Sequence, residues 1–199
     1  YIYIYKLFIC REVLLYLQTM LNQWWRDAKV PEELTQAKVI SIYKKGNTEM
    51  QENYRPISLL NTIYKLTASI LVKRIQKGID HKLHQTQYGF RKDRSAADAI
   101  HCVRNVLTQS RATNDDNIIA LLDWEKAFDK VEHNRLIEAL KRLNTPELYL
   151  DIIKDIYSEP KFKVAANNYE SDYKKQKTGI RQGCPLSPYL FVLLMTVLS

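Results

Sequence analysis

The run Ile118-Ile119-Ala120-Leu121-Leu122, closed by Asp123, constrains this chain most. It is apolar throughout and of strand length, which predicts a strand covered on both faces. A carboxylate set at the end of a buried strand is held rigidly where a ligand can approach. Such an oxygen suits Mg²⁺, which usually takes one or two carboxylates plus substrate phosphates. In two-metal phosphoryl transfer the ions stand ~3.5–4 Å apart and stabilise the attacking and leaving oxygens. On its own Asp123 reads equally as a turn residue or a helix cap.

The flanking sequence supplies both helices and strands, so the expected fold class is α+β. Leu14, Leu15, Leu17, Leu21, Trp24 and Trp25 carry helical spacing over residues 13–25. Residues 39–43 and 54–57 read as two strands of an arm turned at Gly46-Asn47. A long helix is predicted over 60–77 with Ile63, Leu66, Ile70 and Ile75 buried and Gly78 as its stop. Ser95-Ala96-Ala97-Asp98 has the form of a capping box, and Ile100, Val103, Val106 and Leu107 mark a buried face behind it. Short helices fit 135–143 and 146–157, the second with Pro146 in its first position. Residues 162–166 and 173–178 suggest a hairpin across Asn167-Asn168, and Ser187-Pro188 opens a last helix. The opening tract Tyr1-Ile2-Tyr3-Ile4-Tyr5 reads as an alternating strand or as a displaced piece of upstream sequence.

Several classes are excluded. Lys6, Arg11, Glu12, Gln18 and Gln23 interrupt the apolar start, so it lacks the roughly 20 unbroken apolar residues of a membrane span. No secretory cleavage pattern is present. Cys10, Cys102 and Cys184 lie too far apart for a zinc cluster or a disulfide framework, which points to a reducing compartment. His81 and His84 have no further ligand pair and read as surface histidines. The net charge of +8 sits entirely in residues 38–95, which hold twelve Lys and Arg against four Asp and Glu; the flanking stretches balance. A block of that kind attracts polyanions by steering and counterion release.

Five motifs then follow in order: Lys44-Lys45-Gly46; Asn53 to Asn61 (NYRPISLLN); Gln87-Tyr88-Gly89-Phe90-Arg91; Leu121 to Asp129 (LLDWEKAFD); and Gly179 to Pro188 (GIRQGCPLSP). Together they resemble the reverse transcriptases of non-LTR (LINE-like) retrotransposons and, more loosely, those of group II introns. The resemblance covers residues 36–199. It implies a right-hand polymerase with fingers over 36–112, an incomplete antiparallel-sheet palm over 113–199, and an N-terminal helical extension over 1–35. It further implies an RNA template, a DNA primer, dNTP substrates and Mg²⁺ (or Mn²⁺), in the nucleus or a cytoplasmic ribonucleoprotein, neither secreted nor in a membrane.

By resemblance, Asp123 matches the first metal-binding aspartate, and the backbone carbonyl of Trp124 adds a second oxygen. Phe128 matches the bulky residue that excludes a ribose 2′-hydroxyl; it also reads as an ordinary core aromatic. Lys44 and Arg55 match the residues that grip the triphosphate, a point charge and a fork for phosphate oxygens. Lys45 should face the other way, because neighbours on a strand do. Tyr43 stands where the family usually has proline. Gln182 and Gly183 match the loop packed on the nascent base pair, the glycine allowing close backbone approach. Gly89, Phe90 and Arg91 match a segment near the template, or form a turn with a buried aromatic.

The family's hydrophobic-Ala-Asp-Asp hairpin lies downstream of the glutamine loop and is not in this sequence, which reads as a fragment expected to have little activity alone. Asp115 and Asp116 do not replace it: seven residues before Asp123 is roughly 23 Å along a strand. Two alternatives remain, a non-enzymatic nucleic-acid-binding remnant and a maturase-like intron protein.

Overall fold

The computed structural model describes residues 10–166 and 169–198. The opening Tyr-Ile tract and the Asn167-Asn168 junction lie outside the described residues. Helix α1 (Arg11–Asp27) ends where Ala28 takes a left-handed φ of 49°. Its Trp25 meets Tyr149 edge-on, with ring centroids 5.6 Å apart, and the Arg74 guanidinium lies 4.1 Å over the indole. A short α2 (Glu32–Thr35) leads into β1 (Ala37–Tyr43), which turns back antiparallel as β2 (Tyr54–Leu60).

Asn61 caps α3 (Thr62–Ile79) by accepting the Ile63 amide at 2.8 Å. The buried side of α3 is Tyr64, Thr67, Ala68, Leu71, Ile75 and Ile79; of the expected set only Ile75 is fully buried. Ile63, Leu66 and Ile70 are half-covered because the deepest stripe is centred on Tyr64 and Leu71. Gly78 stops nothing: it lies within the helix, and the chain continues as a 3₁₀ turn over Asp80–Lys82.

Helix α4 (Ala96–Thr113) opens on the expected capping box, with the Ser95 hydroxyl accepting the Asp98 amide and the Asp98 carboxylate accepting the Ser95 amide. Its expected buried face is not covered. Ile100, Val103 and Val106 are exposed and Leu107 is half-buried, because among the described residues no other element covers that side. The strand expected over 118–122 is also absent. That segment is irregular, with Ile118 99% and Leu122 88% exposed. A strand requires a neighbour's backbone groups, and among the described residues no ladder reaches 118–122.

Helices α5 (His133–Arg142) and α6 (Glu147–Ser158) follow, with Pro146 as the cap rather than the first residue of α6. Then come β3 (Lys161–Ala166), β4 (Tyr169–Glu170), β5 (Lys174–Lys175) and α7 (Ser187–Leu198). Among the described residues the sheet has the order β2-β1-β3-β4, with β5 paired to β3. β1 and β3 run parallel, Ala37 opposite Phe162, so both sides of the expected boundary at residue 112 share one sheet. The core joins Tyr64, Leu71 and Ile75 of α3 to Leu136 and Leu140 of α5, Ile153 and Ile156 of α6, and Leu190 and Leu193 of α7. Among the described residues no helix is long and apolar enough to cross a membrane.

Candidate functional site

The tip of the β1–β2 arm sets the first two candidates. Tyr43 pairs with Tyr54, Ile42 with Arg55, and the Lys44 amide bonds the Asn53 carbonyl at 2.8 Å. Gly46 turns the chain at φ +94°, and any Cβ there would meet the Asn53 side chain at 2.7 Å. Tyr43 takes the place of the family's proline with a different device. Its hydroxyl donates to the Gly46 carbonyl at 2.6 Å, and its ring packs edge-on against Tyr54. The turn therefore closes without proline.

Gln182 arrives from far along the chain and docks on β2. The Ser58 amide donates to the Gln182 carbonyl at 2.7 Å, and Gly183 follows at φ +108°. A Cβ on Gly183 would stand 2.7 Å from the Ser58 carbonyl oxygen. The close approach that glycine permits is thus to β2. Upstream, the Gly179 amide bonds the Val131 carbonyl at 2.7 Å and the Ile180 amide bonds the Phe128 carbonyl at 2.8 Å. This strip fastens the end of the Asp123 motif to the glutamine loop. Phe128 is half-buried and stacks on Phe191 with centroids 5.0 Å apart, so its ring belongs to the packing around α7.

Lys44, Arg55 and Gln182 line one cleft of about 940 Å³, together with Lys126 and Asp129. Lys45 is not part of its lining. Asp129, to which no role was given in the sequence, accepts from the Gln182 amide at 3.4 Å. The available signal was its position in the same motif as Asp123, six residues on.

Asp123 is exposed and does not line this cleft. With no strand beneath it, the rigid strand-end carboxylate is not formed. Trp124, its ring 59% exposed, lines a separate apolar hollow with Val131, Ala139, Phe191 and Leu194. Asp115 is tied into the end of α4, its carbonyl accepting from the Ser110 hydroxyl. Among the described residues no group of three His, Cys, Asp or Glu side chains can hold a metal. Asp123 and the Trp124 carbonyl are the two candidate oxygens present; with substrate phosphates they would supply part of a Mg²⁺ coordination sphere.

The third motif divides. Gly89 and Phe90 are exposed, and Phe90 rather than the glycine takes the left-handed φ, 58°. Its ring is 60% exposed, so the buried-aromatic alternative does not hold. Arg91 is engaged internally. Its side chain is 8% exposed and pairs with the Asp80 carboxylate at 2.9 Å, while it also donates to the Asp80 and His84 carbonyls at 3.0 Å. Tyr189 of α7 donates to the other Asp80 oxygen at 3.4 Å. This guanidinium pins the 80–91 segment and is turned away from solvent.

Residues 42–199 match the reverse transcriptase (RNA-dependent DNA polymerase) family. The chain belongs to that family. Over 164 residues it is 32% identical to the RNA-directed DNA polymerase from mobile element jockey of Drosophila melanogaster, covering 81% of this chain and 18% of that protein. It is 29% identical to the probable RNA-directed DNA polymerase from transposon BS of the same organism, covering 89% of this chain and 20% of that protein. It is also 29% identical to the transposon TX1 149 kDa protein of Xenopus laevis, over 87% of this chain and 13% of that one. The chain spans between 13% and 20% of the length of these relatives. Reverse transcriptases generally use divalent metal ions and act on an RNA template with a primer and dNTPs.

Proposed function

We propose that this chain is the nucleotide-gripping part of a retrotransposon RNA-directed DNA polymerase, which extends a DNA primer on an RNA template. One observation carries the reading: Lys44, Arg55 and Gln182, drawn from distant parts of the sequence, line a common cleft. In this reading residues 1–35 are an N-terminal extension, 36–112 the fingers and 113–199 the palm.

Lys44 and Arg55 meet the triphosphate, the lysine as a mobile point charge and the arginine as a planar fork. They offset the negative charge that grows on the phosphates as the primer 3′-hydroxyl attacks and pyrophosphate leaves. Gln182 offers its amide to the nucleotide, and Asp129 holds the orientation of that amide. Phe90 presents an exposed ring suited to stacking on a template base. Asp123 with the Trp124 carbonyl would hold part of a divalent cation's coordination sphere, and no step is routed through one. Binding, rather than turnover, belongs to this chain.

The test is titration of a fluorescent dATP analogue. Lys44→Ala and Arg55→Ala should each weaken binding about tenfold, as loss of a hydrogen bond to a charged group implies. Lys45→Ala should leave it within twofold. Equal affinity of all three variants and the parent would refute the assignment. The concentration of positive charge in residues 38–95 favours a second reading, a nucleic-acid-binding remnant. It calls for salt-sensitive RNA binding that is indifferent to dNTP.

A further inference from the structure

Arg181 stands immediately before Gln182 and is 2% exposed. Its Nε and both terminal nitrogens are shut off from solvent, and none has a hydrogen-bond partner among the described residues. The guanidinium carbon lies 6.0 Å from the centre of the Tyr64 ring, a cation–π contact at the limit of its range. Arginine does not give up its proton in proteins. An isolated charge in a low-dielectric interior is costly unless it is paired and hydrogen-bonded.

Other orphaned groups surround it. The backbone winds in two successive turns, the Cys184 amide bonding the Arg181 carbonyl at 3.2 Å and the Ser187 amide bonding the Cys184 carbonyl at 3.3 Å. That three-residue spacing stacks Arg181, Cys184 and Ser187 along the inner side, all buried. The Ser187 and Tyr157 hydroxyls are buried beside one another, and among the described residues they meet no further partner. Burial pushes the Tyr157 phenol up, with Cys184 adding to the rise, while the adjacent Ser187 hydroxyl, through hydrogen bonding, and the Arg181 charge oppose it, so these groups act on one another. Every one of these groups can donate; Asp129 lines the hollow beside Arg181 and Glu132 the one beside Tyr157, and among the described residues neither pairs with the guanidinium.

Cationic groups outnumber carboxylates in the surroundings. Arg181 borders a hollow of about 410 Å³ and Tyr157 borders another of about 530 Å³. Residues Lys175 to Thr178 separate the two and line both, placing Lys175 and Lys177 at their rims. An anion is therefore drawn toward the segment that covers the buried guanidinium.

We propose that Arg181, Tyr157 and Ser187 form an internal site for a small monovalent inorganic anion of the chloride class. A single fixed positive charge, enclosed on all sides, selects a small singly charged ion over phosphate or nucleotide. The anion completes the hydrogen bonding of the turn that carries Gln182, whose carbonyl is bound to β2. Its occupancy thereby steadies one wall of the cleft, whether or not that cleft holds a dNTP.

The experiment is thermal unfolding of the chain in sodium chloride and in sodium gluconate at equal ionic strength, with chlorine-35 NMR line width as the direct reading. Saturating chloride should raise the Tm by roughly 5 °C over gluconate, and the chlorine-35 line should broaden. Arg181→Met should lose both responses. Identical melting in the two salts overturns the proposal, as does a chloride response that survives Arg181→Met. Should that variant fail to fold, Tyr157→Phe keeps the shape and removes one donor. A roughly tenfold rise in the chloride midpoint then supports the site, and an unchanged midpoint overturns it.

Discussion

Two glycine-to-alanine substitutions should move stability in opposite directions. Gly183→Ala places a Cβ 2.7 Å from the Ser58 carbonyl oxygen in a backbone held at φ +108°. Contacts under 3 Å to backbone are not tolerated, so either the loop or β2 must shift. A shift sacrifices the Ser58 amide to Gln182 carbonyl bond, now 2.7 Å long. Left-handed strain of ~1–2 kcal/mol and a lost bond of ~1 kcal/mol give a destabilisation of about 2–3 kcal/mol. Gly78→Ala meets nothing within 4 Å and sits in helix α3, so it should stabilise by about 0.5–1 kcal/mol. Urea unfolding reads both, and at ~2–4 °C per kcal/mol the melting temperatures should separate by roughly 5–15 °C. Gly183→Ala should also weaken dATP-analogue binding, since Gln182 moves with it, whereas Gly78→Ala should not. A Gly183→Ala protein as stable as its parent refutes the claim that close approach to β2 is what requires glycine there.

Further outcomes follow from the ion pairs. Arg91→Met leaves Asp80 and two carbonyls without their donor and should destabilise by about 2–4 kcal/mol in urea; an unaffected midpoint would return Arg91 to the surface. Hydrogen bonds from Lys163 and Lys38 depress the Glu170 carboxyl to about 2. A lowered carboxyl contributes stability above the ordinary Glu range and loses it as pH falls toward that depressed value. The pairing of β4 with β3 should thus loosen on acidification toward pH 2. An NMR titration of Glu170 should move back up in Lys163→Met, and an unmoved midpoint would discount the pair.

Signals carried by neighbouring residues proved legible. The Ser95–Asp98 capping box, the Gly46 turn and the helix openings near Pro146 and Ser187 all depend on contacts within a few residues. What sequence did not reveal depended on distant partners. The 118–122 run has strand composition, yet a ladder needs a neighbour, and none pairs with it. The buried stripe of α3 is set by α5, α6 and α7, so Tyr64 and Leu71 displaced Ile63 and Ile70 as its centre. At the site, the motifs pointed to Lys44, Arg55 and Gln182, which share a cleft. They did not reveal that Asp129 lies on it, that Asp123 stands off it, or that Arg91 is paired inward with Asp80. Each of these is decided by how loops fold back.

The parallel seam between β1 and β3 has a consequence during synthesis. The inner edge of β1 leaves the ribosome about 125 residues before the strand that pairs with it. At ~5–20 residues per second, that edge waits roughly 6–25 s for its partner. Its other side closes almost at once on β2, so the nascent arm spends this interval as a two-stranded ribbon with one open margin. Such a margin is a template for wrong pairing. Slowing translation between residues 60 and 160 should therefore raise aggregation of the newborn chain, while slowing it after residue 166 should not.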